Sequence, residues 1–136
     1  MDNKAIALDF FKAADNNDFS TVEKLFGKNH HFYSSMSPMP MDAAQHLGLL
    51  NAFQTGFSNT RHEILDILES GNKVVVRGIW HGLHSAAFNN IPASGKTVRL
   101  SFICIIEIEN NEMLNQWIEL DSMVLMMQIG AIPSPQ

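Results

Sequence analysis

The chain lacks a second cysteine, any long apolar run and any cluster of basic residues, and each absence narrows its function. With Cys104 alone an internal disulfide is excluded, which fits a reducing compartment, so a cytoplasmic protein is expected. The longest uninterrupted apolar runs, Phe102 to Ile106 and Met123 to Met127, fall far short of the ~20 residues that span a bilayer. The first residues, interrupted by Asp9 and Lys12, do not read as a signal peptide. No membrane partner is expected. Nine Lys and Arg stand against fourteen Asp and Glu, a formal charge of −5, and the basic residues are scattered from Lys4 to Arg99. A nucleic-acid binder concentrates them, so neither DNA nor RNA is an expected partner.

What is present is the composition of one folded domain. A chain of 136 residues, 46% hydrophobic and 17% charged, buries roughly 68–70% of its unfolded surface, so residues 1–136 are read as a single domain. Eight Met and nine Phe supply a plastic interior, which is either plain core or a pocket for a flat hydrophobic small molecule.

Periodicity divides the chain into helices and then strands. Ile6, Ala7, Phe10, Phe11 and Ala14 recur at helical spacing and predict an amphipathic helix over Lys4 to Ala14, ended by Asn16 and Asn17. Ser20 and Glu23 read as a capping box for a short second helix closed by Gly27. Lys28 to Met41 reads as a loop over a pocket mouth, carrying His30, His31, Phe32 and Tyr33. Asp42 and Gln45 repeat the capping pattern before a third helix that ends near Gly56. From His62 onward the texture is Val- and Ile-rich. Strands are expected over His62–Leu68, Lys73–Leu83, Thr97–Glu109 and Glu112–Leu120, with hairpins at Ser70-Gly71-Asn72 and Asn110-Asn111. Around Val74–Val76 and Phe102–Ile106 both parities are apolar, so both sheet faces need cover: helices on one, and a second subunit, hence a homodimer, on the other.

Several segments between Gly56 and Gly130 resemble the SnoaL-like polyketide and ester cyclase family. They are Gly56-Phe57-Ser58-Asn59, the run Gly71-Asn72-Lys73-Val74-Val75-Val76-Arg77, and Gly82-Leu83-His84. They continue through Phe88-Asn89-Asn90-Ile91-Pro92-Ala93-Ser94-Gly95-Lys96, Trp117-Ile118-Glu119-Leu120-Asp121 and Leu125-Met126-Met127-Gln128-Ile129-Gly130. The chain departs from the pattern where Asn90 replaces a usual Gly, where Asn110-Asn111 replaces Asp-Gly, and where Tyr33 aligns with a His. The resemblance implies an α+β fold of the nuclear transport factor 2-like kind: a cone-shaped α+β barrel with N-terminal helices on a curved antiparallel sheet around a hydrophobic pocket. It also implies cofactor-free ring closure by intramolecular aldol chemistry, with Asp121 as acid/base.

The residues themselves leave alternatives open. On a regular strand Asn115, Trp117, Glu119 and Asp121 share one surface. Asp121 beside Trp117 is either a partly desolvated base or the cap of a helix starting near Ser122. His84 is a donor to an enolate oxygen or a satisfied rim histidine. Arg77 orients a substrate oxygen or pairs with Glu63, Asp66 or Glu69. Trp117, Arg77, His31, Tyr33, Phe102 and Cys104 complete the substrate-contact candidates, with Cys104 an inert lining residue rather than a nucleophile. His81 and His84 are three apart on a strand and face opposite sides, so no metal site is expected. Isomerisation, dehydration or hydrolysis in the same pocket is the alternative chemistry. A non-catalytic ligand-binding domain is the third reading, favoured if Asp121 is exposed or engaged as a cap.

Overall fold

The computed structural model describes residues 2–134. Helix α1 (Asn3–Asp15) buries the apolar stripe expected of it, including Ile6, Ala7, Phe10, Phe11 and Ala14. Its first turn is capped by Asp2, which accepts from the Ala5 N–H at 2.8 Å. Asn17, at φ 60°, turns the chain out of the helix in the left-handed region that Asn tolerates better than most residues.

Helix α2 (Phe19–Leu25) starts earlier than expected. Its cap is Asp18, which accepts from the Thr21 N–H at 3.2 Å and the Thr21 hydroxyl at 2.6 Å; Ser20 only donates to Asp18. The Ser20–Glu23 box is therefore not formed, because the helix starts at Phe19 with Asp18 as its cap and Ser20 already lies inside it. Nor does Gly27 close the helix. Phe26 is already extended and opens strand β1 (Phe26–Ser34), so the expected loop contracts to residues 35–40. The strand was obscured because one of its inward positions carries a polar residue: Phe26, His30 and Phe32 are buried while His31 is exposed.

A two-residue strand β2 (Met41–Asp42) leads into α3 (Ala43–Gly56), and here the capping box is complete. The Gln45 N–H donates to Asp42 and the Asp42 N–H donates to Gln45, each at 2.9 Å. Strands β3 (Phe57–Ser70), β4 (Lys73–His84), β5 (Thr97–Glu109) and β6 (Glu112–Leu120) follow, then helix α4 (Ser122–Gln128). The six strands form one sheet in the order β2-β1-β6-β5-β4-β3. β1 joins β6 in parallel while the other neighbours are antiparallel.

The turn at Asn110-Asn111 has φ of 51° and 63°, the pair of positive angles that a two-residue hairpin requires. Asn89 and Asn90, at 48° and 65°, make a second such turn closed by two backbone bonds between Phe88 and Ile91. Asn thus takes the left-handed backbone at positions where the resembling pattern has Gly or Asp-Gly.

One face of this curved sheet carries Val74, Val76, Trp80, Leu100, Phe102, Cys104 and Ile106, all buried, and the helices pack around that face. The result is an α+β cone. Register shifts in β3 between Ser58 and Arg61 and between Ile64 and Asp66 re-aim its side chains. Ile64 and Ile67, three apart, consequently both join the core, which a regular strand would forbid. Gly78 sits opposite the second shift, where an added Cβ would collide with the Glu63 carbonyl oxygen.

Candidate active site

A cavity of about 90 Å³ lies between the helices and the inner sheet face. Phe10, Phe11 and Ala14 of α1 border it on one side, Leu49, Leu50 and Phe53 of α3 on another, and Trp80, Leu100, Phe102, Ile118 and Leu120 form the sheet wall. Met36 of the 35–40 loop and Phe32 complete it. The lining is almost wholly apolar, and its few polar side chains stand out: His46, Gln54, His62 and Gln116.

His62 is the one with a charged partner. Its Nδ1 lies 2.7 Å from Asp15 Oδ1, and its backbone N–H donates to Asp15 Oδ2 at 2.7 Å. The side chains are only 17% and 16% exposed. A carboxylate accepts only, so Nδ1 carries a proton, and in the ring's neutral form the lone pair is at Nε2. The ring is wedged against Phe11 and Phe102. Gln54 ties the three elements together, donating to the Ala14 carbonyl at 2.8 Å and to the Thr60 hydroxyl at 2.7 Å. Asp15 is the last residue of α1, at the negative end of the helix dipole, where a carboxylate is disfavoured. That misplaced charge and an inward His on the facing strand were the signals sequence reasoning passed over.

A pair of histidines, His30 and His46, meets the cavity through His46. His30 Nδ1 donates to the Met113 carbonyl at 2.9 Å, and His30 Nε2 lies 2.9 Å from His46 Nδ1. Burial lowers the pKa of both, that of His46 well below the usual histidine value; the Met113 bond partly offsets the effect at His30. Both rings are therefore neutral near pH 7. His46 stacks on Phe32 with ring centres 3.8 Å apart.

The expected site residues are divided between the two sheet faces. Phe102 lines the cavity. Cys104 faces the same way but is sealed beneath it, and burial pushes its thiol up to about 12, so it holds no thiolate at neutral pH. His84 is fully buried outside the cavity lining, with Nδ1 at 2.9 Å from the Ser94 hydroxyl. Trp117 is on the outer face, stacked on Tyr33 at 5.5 Å. Arg77 is outer and exposed, paired with Asp66 at 2.6 Å, and His31 is exposed, bonded to the Asn29 carbonyl.

Asp121 also departs from its expected surroundings. It is exposed and caps α4, accepting from the Met123 and Val124 N–H groups at 3.1 and 3.2 Å. The inward parity of β6 is Gln116, Ile118 and Leu120, so Asp121 and Trp117 share a surface, but it is the one turned away from the cavity. His81 and His84 likewise point to opposite faces, with His81 bonded to Glu63 at 2.9 Å. Among the described residues no group of three His, Cys, Asp or Glu is placed to hold a metal ion.

The model of one family, SnoaL-like polyketide cyclase, matches residues 5–129. The chain belongs to the SnoaL-like polyketide cyclase family. Solved structures agree on the fold of this SnoaL-like protein. AclR of Streptomyces galilaeus, a hydroxylase candidate, superposes with a TM-score of 0.89 at 18% identity, over 98% of this chain and 84% of its own. IdmH of Streptomyces antibioticus, a polyketide cyclase candidate, gives 0.84 at 19% identity, over 96% and 99%. A SnoaL-like polyketide cyclase candidate from Jannaschia sp. CCS1 gives 0.85 at 17%, over 96% and 93%. No curated protein matches the chain. No helix among the described residues is long and apolar enough to cross a membrane.

Proposed function

We propose that this SnoaL-like protein is a cofactor-free acid–base enzyme acting on a small hydrophobic carbonyl compound, with His62 moving the proton and Asp15 holding His62. The observation that carries this reading is His62, on the wall of a largely apolar cavity, held from behind by Asp15. His62 Nε2 takes the proton from the carbon next to the substrate carbonyl. The imidazolium that forms is stabilised by the Asp15 carboxylate at 2.7 Å, in surroundings of low dielectric where that attraction is strong. The enolate carbon then attacks a second carbonyl of the same molecule, a carbon–carbon bond closes the ring, and the new alkoxide recovers the proton from His62. Holding both carbons in one cavity supplies roughly 7 kcal/mol or more of the acceleration.

The cavity, about 90 Å³, is smaller than the ~150 Å³ in which an engineered protein cavity holds benzene. The cavity must therefore widen to admit even a one-ring substrate, which keeps dehydration or isomerisation of a smaller compound by the same pair as a second reading. Solvent-deuterium exchange at the activated carbon of aromatic β-keto esters and 1,3-dicarbonyls tests the proton-transfer step common to both. Exchange no faster than in buffer, on compounds shown to bind, contradicts it and leaves the ligand-binding reading.

The outer sheet face, where Leu68 is 63%, Ile103 50% and the neighbouring Met123 61% exposed, fits coverage by a second copy of the chain. Such a homodimer belongs to the same proposal, as do a soluble cytoplasmic setting and the absence of nucleic-acid partners.

A further inference from the structure

Two side chains of the cavity lining, Gln116 and His46, carry hydrogen-bond acceptor atoms, and that of Gln116 is buried without a protein partner. Gln116 is 2% exposed and lines the cavity, yet its Oε1 bonds to nothing. Buried polar groups in native proteins nearly always have partners, so an orphan on a cavity wall points to a ligand. The second atom follows from the chain of protons behind the wall. A carbonyl only accepts, so His30 Nδ1 holds the proton given to Met113, and neutral His30 offers a lone pair at Nε2. His46 Nδ1 must then be the donor across 2.9 Å, which leaves His46 Nε2 as a second lone pair. Phe32 joins the two: it pairs with Gln116 across the β1–β6 ladder and stacks on His46 at 3.8 Å. The patch belongs to one stretch of wall.

We propose that this patch is a hydroxyl subsite: the cavity takes one-ring aromatic carbonyl compounds whose phenolic O–H donates to Gln116 Oε1, and a second hydroxyl, where present, to His46 Nε2. The two lone pairs repel a carboxylate, and the cost of desolvating an ion in a buried apolar cavity disfavours an ammonium, so a neutral O–H is the group that fits. The inference deepens the acid–base reading and rests on it only for directing the carbonyl side of the ligand toward His62.

Calorimetric titration of the full chain with acetophenone, 3- and 4-hydroxyacetophenone, their methyl ethers and 4-acetylbenzoate tests it. At least one hydroxy compound is expected to bind about ten-fold or more tightly than its ether and than acetophenone, because a site built around a hydroxyl rejects analogues that lack it. 4-Acetylbenzoate is expected not to bind. In Gln116→Met, similar in length, the preference of the hydroxy compound over its ether and over acetophenone shrinks to within about three-fold. Equal affinities in wild type, an undiminished preference in Gln116→Met, or no binding of any of these compounds overturns the proposal. If Gln116→Met does not fold, the wild-type ranking decides alone. His62→Gln separates the two readings: it keeps the hydroxyl preference even where exchange is lost, so each can fail without the other.

Discussion

Asp15 holds His62 twice, by the ring Nδ1 and by the backbone N–H, both at 2.7 Å. One carboxylate therefore fixes the tautomer, the ring plane and the strand position of the histidine together. Asp15→Asn keeps an acceptor but removes the charge that stabilises the imidazolium. It is expected to slow proton transfer about ten-fold or more with little change in substrate affinity; a loss confined to affinity contradicts the assignment.

The buried histidine pair makes stability depend on pH. His30 and His46 have pKa values below the unfolded one, chiefly because burial disfavours their charged forms. Below about 6.5 the unfolded chain binds protons that the folded chain refuses. Their contribution is therefore complete above that pH and is lost as pH falls through it. Urea midpoints should decline from pH 7.5 to 5, and His46→Phe should flatten that decline. An equal slope in wild type and variant shows the pair is not its source.

Gly78→Ala tests the shift in β3. The new methyl would collide with the Glu63 carbonyl and meet the Phe102 ring at 3.0 Å, and backbone cannot give way as a flexible side chain does. A loss of about 1–3 kcal/mol is expected from denaturant unfolding. An unchanged midpoint means the bulge is looser than described.

For the outer face, sedimentation of wild type should show a dimer, and Ile103→Glu, which places a charge among half-exposed apolar side chains, should move it toward monomer. A monomeric wild type at micromolar concentration refutes the homodimer.

Helices and hairpins were legible in the sequence where local chemistry alone decides them. The Asp42–Gln45 box, the Asn110-Asn111 turn and the strands from Lys73 to Leu120 follow from short-range rules, and the motifs around Ile91-Pro92 and Trp117 pointed to the family. β1 was illegible because its partner, β6, lies far along the chain and its inward position 30 is a histidine. The proposed site was less legible still. Parity placed Trp117 and Asp121 on one face, but nothing in β6 alone says which face the helices cover. Asp15 and His62 are 47 residues apart, and only the closure of the cone brings them together.

Solvent-deuterium exchange at the activated carbon of a bound aromatic β-keto ester, compared among wild type, His62→Gln and Asp121→Asn, tests the central claim most directly. We predict that wild type accelerates exchange, that His62→Gln loses about 10²–10⁴-fold of that acceleration, and that Asp121→Asn, altered at an exposed helix cap, stays within about three-fold of wild type. Loss of exchange in Asp121→Asn with activity retained in His62→Gln would contradict the account and return the acid–base role to Asp121.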